Sequence, residues 1–178
     1  PGGLIGETGP HVVYLSLAFI GDVLEIYARR RKMADYAWSS GDDFTIDLHG
    51  SNGSSSIRVV HNSNFWAGDL EVWGAKGRVK IDLQGMTLTS YARPTLNTSV
   101  VGKSVLRESV GNLRSTLSNA AAVSVGRFRS GHREIIDEFV KSINEGSEPP
   151  VTPESAATTV RVLEEVVQQL ESQKGFGV

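Results

Sequence analysis

Between residues 44 and 90 the chain alternates apolar and polar side chains in short runs separated by glycine-containing turns, and few folds can accommodate that pattern. A period of two places alternate residues on opposite faces of a strand, so each run reads as a half-buried β-strand. From Phe44 to His49, Phe44, Ile46 and Leu48 share one face, and Thr45, Asp47 and His49 share the other. The Asn52-Gly53 pair that follows suits a type I′ turn, which needs positive φ at both central residues. With those two residues as the loop, Leu48 lies opposite Ile57, Ile46 opposite Val59 and Asp47 opposite Arg58. A second hairpin, Gly74-Ala75-Lys76-Gly77, opposes Val72 to Val79, Leu70 to Ile81 and Glu71 to Lys80. A weaker turn at Gln84-Gly85 returns Met86, Leu88 and Ser90 against Leu83, Ile81 and Val79. The registers predict an antiparallel meander with one apolar face. The other face carries Thr45, Asp47, Arg58, Glu71, Trp73, Arg78, Lys80 and Asp82, and it can meet water or another subunit.

Helical patterns flank this region. Thr8 to Ile20 is nearly all apolar, with Pro10 expected in the first turn and Gly21-Asp22 as the stop, which predicts a helix buried on most sides. Val23 to Arg31 reads as a strand, and 32–41 as a loop carrying Tyr36 and Trp38. Past Pro94, Leu106, Val110, Leu113, Leu117 and Ala121 recur at helical spacing. A further helix from about Ser130 is expected to bury Ile135, Ile136, Phe139, Val140 and Ile143 and to stop at Asn144-Glu145-Gly146. The last has Thr152 as N-cap, Pro153 at its first position and Glu154 beside the positive helix end, with Val160, Leu163, Val167 and Leu170 inward. Helices packed on one face of an open, predominantly antiparallel sheet make an α+β fold.

At 178 residues and 39% hydrophobic, the chain suits one domain. A net charge of −2 lacks the concentrated positive charge of a nucleic-acid footprint. The single basic run, Arg29-Arg30-Arg31-Lys32, reads as the solvated end of a strand. With no cysteine, disulfides, thiolate metal sites and cysteine nucleophiles are excluded. The apolar run Val12 to Ile20 is too short to span a bilayer, so no membrane partner is expected, and the expected location is cytoplasmic. The chain starts at Pro1, and a glycine-rich motif normally follows another element. Both features predict a fragment of a longer protein.

The four histidines show no metal-ligand spacing, and no Gly-x-Ser-x-Gly elbow or phosphate loop is present. What stands out is Glu7 four residues before His11, amid Gly2, Gly3, Gly6 and Gly9. On a helix Glu7, His11, Tyr14 and Leu15 share one face. Glu7 can simply cap the helix, with His11 a satisfied buried residue. Alternatively, the carboxylate orients the imidazole for proton exchange with a substrate hydroxyl. Tyr14, Asn62, Asn64 and Trp66 are the candidate substrate-binding residues, although an ordinary loop explains the last three as well. His132 reads as a first-turn helix residue.

The stretch Gly-Gly-x-x-x-Glu-x-Gly-x-His, followed by an apolar helix and Gly-Asp, resembles the start of the C-terminal domain of the Gfo/Idh/MocA oxidoreductases. "VWGAKGRVKIDL" resembles that family's hairpin, "GHREIIDEFVKSINEG" its penultimate helix, and "PPVTPESAATTVRVLEEV" its closing helix. Order and spacing together cover nearly the whole chain. The resemblance implies a ferredoxin-like, dihydrodipicolinate-reductase-like α+β domain of residues 1–178. It would bind substrate and assemble the oligomer, beside a missing Rossmann domain that binds NAD or NADP. It further implies hydride transfer to or from a sugar or polyol carbon. His11 matches the histidine of the family's Asp-x-x-x-His, and Glu7 stands where the Asp is usual, with one extra methylene. Neither the dinucleotide fingerprint nor the family's Lys-Pro motif lies in this chain, so no bound cofactor is expected here. Relatives commonly pair through the open sheet, which suggests Glu71, Trp73, Arg78 and Lys80 as interface residues of a homo-oligomer. The alternative is a non-catalytic assembly or sugar-sensing module that uses the same face.

Overall fold

The computed structural model describes residues 2–35, 37–126 and 131–173, so Tyr36 and Ser130 lie outside the described residues. The elements run α1 (Gly3–Ile20), β1 (Val23–Arg31), β2 (Asp43–Gly50), β3 (Gly53–Val60), β4 (Asp69–Gly74), β5 (Gly77–Asp82), β6 (Thr87–Tyr91), α2 (Thr98–Ser124), α3 (Gly131–Glu145) and α4 (Pro153–Ser172). All strand pairs are antiparallel, and the fold is α+β. The expected meander is broken at 61–68, where no strand forms, into two three-stranded sheets, β1-β2-β3 and β4-β5-β6. The chain divides into two compact units, one of residues 1–64 and 138–178, the other of residues 65–137.

In the first unit, α1 and α4 pack against each other; α4 also lies on β1, and α1 on β2 and β3. The alternation of β2 has its expected result: Phe44, Ile46 and Leu48 are buried, beside Ile5, Val13, Val162 and Val166. Each such side chain contributes roughly 1.5–3 kcal/mol by leaving water. Gly9 lets the helices approach closely, since a Cβ there would lie 2.5 Å from Leu163 Cδ1.

Three expectations are corrected in this unit. First, α1 begins at Gly3 rather than Thr8, behind a left-handed Gly2, so Pro10 lies inside the helix and deprives the Gly6 carbonyl of its usual amide partner. The helix is buried along Ile5, Gly9, Val13, Ser16 and Ile20, whereas Glu7, His11 and Phe19 are exposed. Second, the β2–β3 turn is Ser51-Asn52, with Gly50 opposite Gly53 and Ile46 opposite Ile57. Neither turn residue has positive φ. Backbone bonds set this register: Asn52 N–H donates to the Ile20 carbonyl at 2.8 Å and Ser51 N–H to that of Asp22 at 2.9 Å. The shift is two residues, so every side chain keeps its face. Third, α4 buries Thr159, Val162, Val166 and Leu170, a stripe turned from the expected one; Val160 is exposed, while Leu163 and Val167 are half-buried. Its start is as expected, with Thr152 Oγ1 accepting from Ser155 N–H at 3.1 Å and Pro153 opening the helix.

In the second unit the expected registers are found: Val72 opposite Val79, Leu70 opposite Ile81, Glu71 opposite Lys80, Leu88 opposite Ile81 and Ser90 opposite Val79. Met86 falls in the turn instead of the strand, with φ 48°. Helix α2 packs against β6, and its Asn97 caps the Ser99 amide at 3.0 Å. The apolar stripes of α2, and of α3 whose residues fall in both units, exist as spaced, but Leu106, Val110, Leu113 and Leu117, and likewise Ile135, Ile136, Phe139, Val140 and Ile143, are exposed rather than buried.

Candidate functional site

Because the buried side of α1 is fixed by Ile5, Gly9, Val13 and Ile20, the opposite side presents Glu7 and His11 one turn apart, with Tyr14 half-buried beside them. Glu7 lies in the helix rather than at its cap, and His11 is exposed rather than a buried core residue. Among the described residues neither side chain makes a hydrogen bond or ion pair, so the imidazole faces outward from a fixed backbone.

Thr8, His61 and Asp42, which the sequence pattern does not single out, build the flank of this stripe together with Asn62. Thr8 Oγ1 donates to the Leu4 carbonyl at 3.2 Å and lies 3.3 Å from His61 Nε2. His61 is half-buried just past the end of β3 and reaches α1 through Thr8. Its backbone N–H donates to the Asp42 carbonyl at 2.7 Å. Asn62 is exposed, and its Nδ2 donates to Asp42 Oδ1 at 3.3 Å. Asn64 is exposed at the end of the first unit, and Trp66, 94% exposed, belongs to the second. The sequence signal that could have found Asp42 is the Asp42-Asp43 pair opening β2: Asp43 pairs with Arg58 at 2.9 Å, while Asp42 turns inward.

The outer face of the first sheet forms a groove lined by Tyr27, Asp47, His49, Ser56 and Gln169. Tyr27 meets His49 edge-on at 5.9 Å and donates to Glu25 Oε2 at 3.1 Å. That bond to a carboxylate, with the negative charge of Glu25, holds the Tyr27 phenol above its ordinary pKa.

On the second sheet, Arg78 lies over the rings of Tyr91 (4.0 Å) and Trp73 (4.9 Å) and donates to Glu71 Oε2 at 3.4 Å, while Trp73 Nε1 donates to the same oxygen at 3.2 Å. Lys80 pairs with Asp69 at 3.3 Å. The four expected interface residues therefore share one face, on which Trp73 is 73% exposed. Nearby, Glu108 accepts from Arg93 at 2.6 Å and from Ser104. Burial opposes its charge, but the Ser104 hydroxyl and the Arg93 and Arg78 guanidiniums outweigh that and hold its carboxyl below the ordinary value.

Among the described residues no group of three His, Cys, Asp or Glu side chains could hold a metal ion, and no helix is long and apolar enough to cross a membrane. Gly74 and Gly77 bracket a β-hairpin turn rather than the strand-to-helix turn of a dinucleotide cradle.

A family model described as the C-terminal alpha/beta domain of an oxidoreductase family, Gfo/Idh/MocA, matches residues 1–178. The chain belongs to the Gfo/Idh/MocA oxidoreductase family. Several solved structures share its fold, including the following two. UDP-N-acetylglucosamine 3-dehydrogenase from Acidithiobacillus ferrooxidans is 13% identical with a TM-score of 0.66, covering 92% of this chain and 45% of its own. A probable dehydrogenase from Thermotoga maritima is 16% identical with a TM-score of 0.63, covering 97% and 49%. The chain thus spans about half the length of these two structures. No curated protein matches it.

Proposed function

We propose that this chain is the substrate-binding and oligomerisation domain of an NAD- or NADP-dependent dehydrogenase acting on a sugar or polyol hydroxyl. The observation that carries the reading is His11, exposed on α1 one turn after Glu7, within a chain of an oxidoreductase family. In this reading the His11 imidazole exchanges the proton of the reacting hydroxyl, Glu7 supports it electrostatically, and Tyr14, Asn62 and Asn64 contribute to substrate binding. The nucleotide is held by sequence outside this chain, since the dinucleotide fingerprint does not occur in it. The face of Glu71, Trp73, Arg78 and Lys80 serves assembly.

The test is His11→Ala in the full-length protein. It should lower kcat by about two to four orders of magnitude with nucleotide binding intact. An unchanged rate removes His11 from the chemistry, and a full-length sequence without a dinucleotide fingerprint defeats the enzyme reading.

A further inference from the structure

Asp42 is 1% exposed, and its carboxylate gathers the Met33 N–H (2.9 and 3.0 Å to its two oxygens), the Ala34 N–H and Asn62 Nδ2 at 3.3 Å. Its backbone carbonyl takes the His61 N–H at 2.7 Å. One buried residue therefore grips two successive residues, one through the main chain and the other through the side chain. A carboxylate only accepts hydrogen bonds, so Asn62 must present its Nδ2 to Asp42 and turn its Oδ1 elsewhere. Asn62 is exposed, and that oxygen has no hydrogen-bond donor among the described residues.

The same short segment is docked on the helix that carries His11. Thr8 gives its hydroxyl proton to the Leu4 carbonyl, so its oxygen offers lone pairs to His61, whose Nε2–H is the donor. Thr8 and His11 are neighbours at i, i+3 on α1. The two links hold residues 61–62 beside the turn that presents the candidate acid–base group.

We propose that Asp42 is a positioning residue that fixes the Asn62 side-chain oxygen as acceptor for a second hydroxyl of the substrate, next to the one His11 handles. The inference rests on the dehydrogenase reading and narrows it to substrates with neighbouring hydroxyls, as in ring sugars and cyclic polyols.

The test uses the full-length protein with NAD+ or NADP+ and myo-inositol, D-glucose and UDP-N-acetylglucosamine as probes. Asn62→Ala should raise KM for the turned-over probe about tenfold, the effect of one lost hydrogen bond, with kcat within about twofold. Asn62→Asp keeps an acceptor but loses the N–H that Asp42 orients, and should raise KM as much. Asp42→Asn should raise KM in the parent protein but not in the Asn62→Ala background, whereas a merely structural role would raise it in both. An unchanged KM in Asn62→Ala or Asn62→Asp overturns the proposal, and because Asn62 is exposed, these two variants decide the matter even if Asp42→Asn fails to fold. A fall in kcat alone also overturns it. If His11→Ala keeps full activity, or no probe is turned over, the dehydrogenase reading fails first and this proposal with it.

Discussion

Gln169 closes the outer edge of β1 at Ala28 as a neighbouring strand would: its Oε1 accepts from the Ala28 N–H at 3.0 Å, and its Nε2 donates to the Ile26 carbonyl at 2.8 Å. Gln173 Nε2 bonds the Ala28 carbonyl, and the Gln173 carbonyl accepts from Arg30 Nη2 at 3.0 Å. The last helix thus satisfies an edge that would otherwise be open to another strand. Gln169→Leu leaves two backbone groups without partners and should destabilise the first unit by about 1–3 kcal/mol. Urea denaturation measures this, and an unchanged midpoint means that solvent replaces the amide without loss.

Gly50 sits against the end of α1, where an added Cβ would lie 2.4 Å from the Ile20 carbonyl oxygen. That neighbour is backbone and accepts from Asn52, so it has little room to move. Gly50→Ala should therefore lower stability by about 3 kcal/mol, the upper part of the overpacking range. Thermal unfolding of Gly50→Ala beside Gly53→Ala, where a Cβ meets nothing within 4 Å, isolates the steric effect.

The lowered pKa of Glu108 has a defined sign. The unfolded chain takes up the proton at a higher pH than the folded one, so the ionised carboxylate stabilises the fold fully above the ordinary glutamate pKa. That contribution declines as pH falls through the folded value. Unfolding followed from pH 7 down to pH 3 should lose part of its pH dependence in Glu108→Gln. Identical slopes in the two proteins would remove Glu108 from the account.

Arg78 ties together the sheet face of Glu71 and Trp73 by lying over two rings while bonding Glu71. If that face pairs subunits, Trp73→Ala removes its most exposed aromatic ring and should weaken self-association about tenfold or more, measured by sedimentation equilibrium. A parent protein that stays monomeric at high concentration refutes the interface.

Local chemistry was readable from the sequence wherever it was decisive. Gly74 and Gly77 bracket a two-residue turn with no other neighbour competing, and the β4–β5 register follows from them. Asn52-Gly53 carries the stronger local signal, yet the turn sits one residue earlier because Ile20 and Asp22 bind Ser51 and Asn52. Such long-range bonds leave no trace in a local pattern. For the same reason the first helix reads as starting at Thr8, although α1 opens at Gly3, and the close approach of Leu163 to Gly9 leaves no local signal. His11 was legible as a candidate because residue type and helical spacing mark it. Asp42 was not, because its importance lies in which amides reach it.

Helix α1 owes its buried side to Val162, Val166 and Leu170, near the opposite end of the chain. A ribosome making this protein releases Glu7 and His11 long before the residues that fix their helix exist. The segment 65–137 can therefore complete its own sheet while α1, packed on β2 and β3, still lacks α4. A stall or truncation ahead of α4 would leave the proposed acid–base residue on a helix with one side still uncovered, whatever the state of the rest.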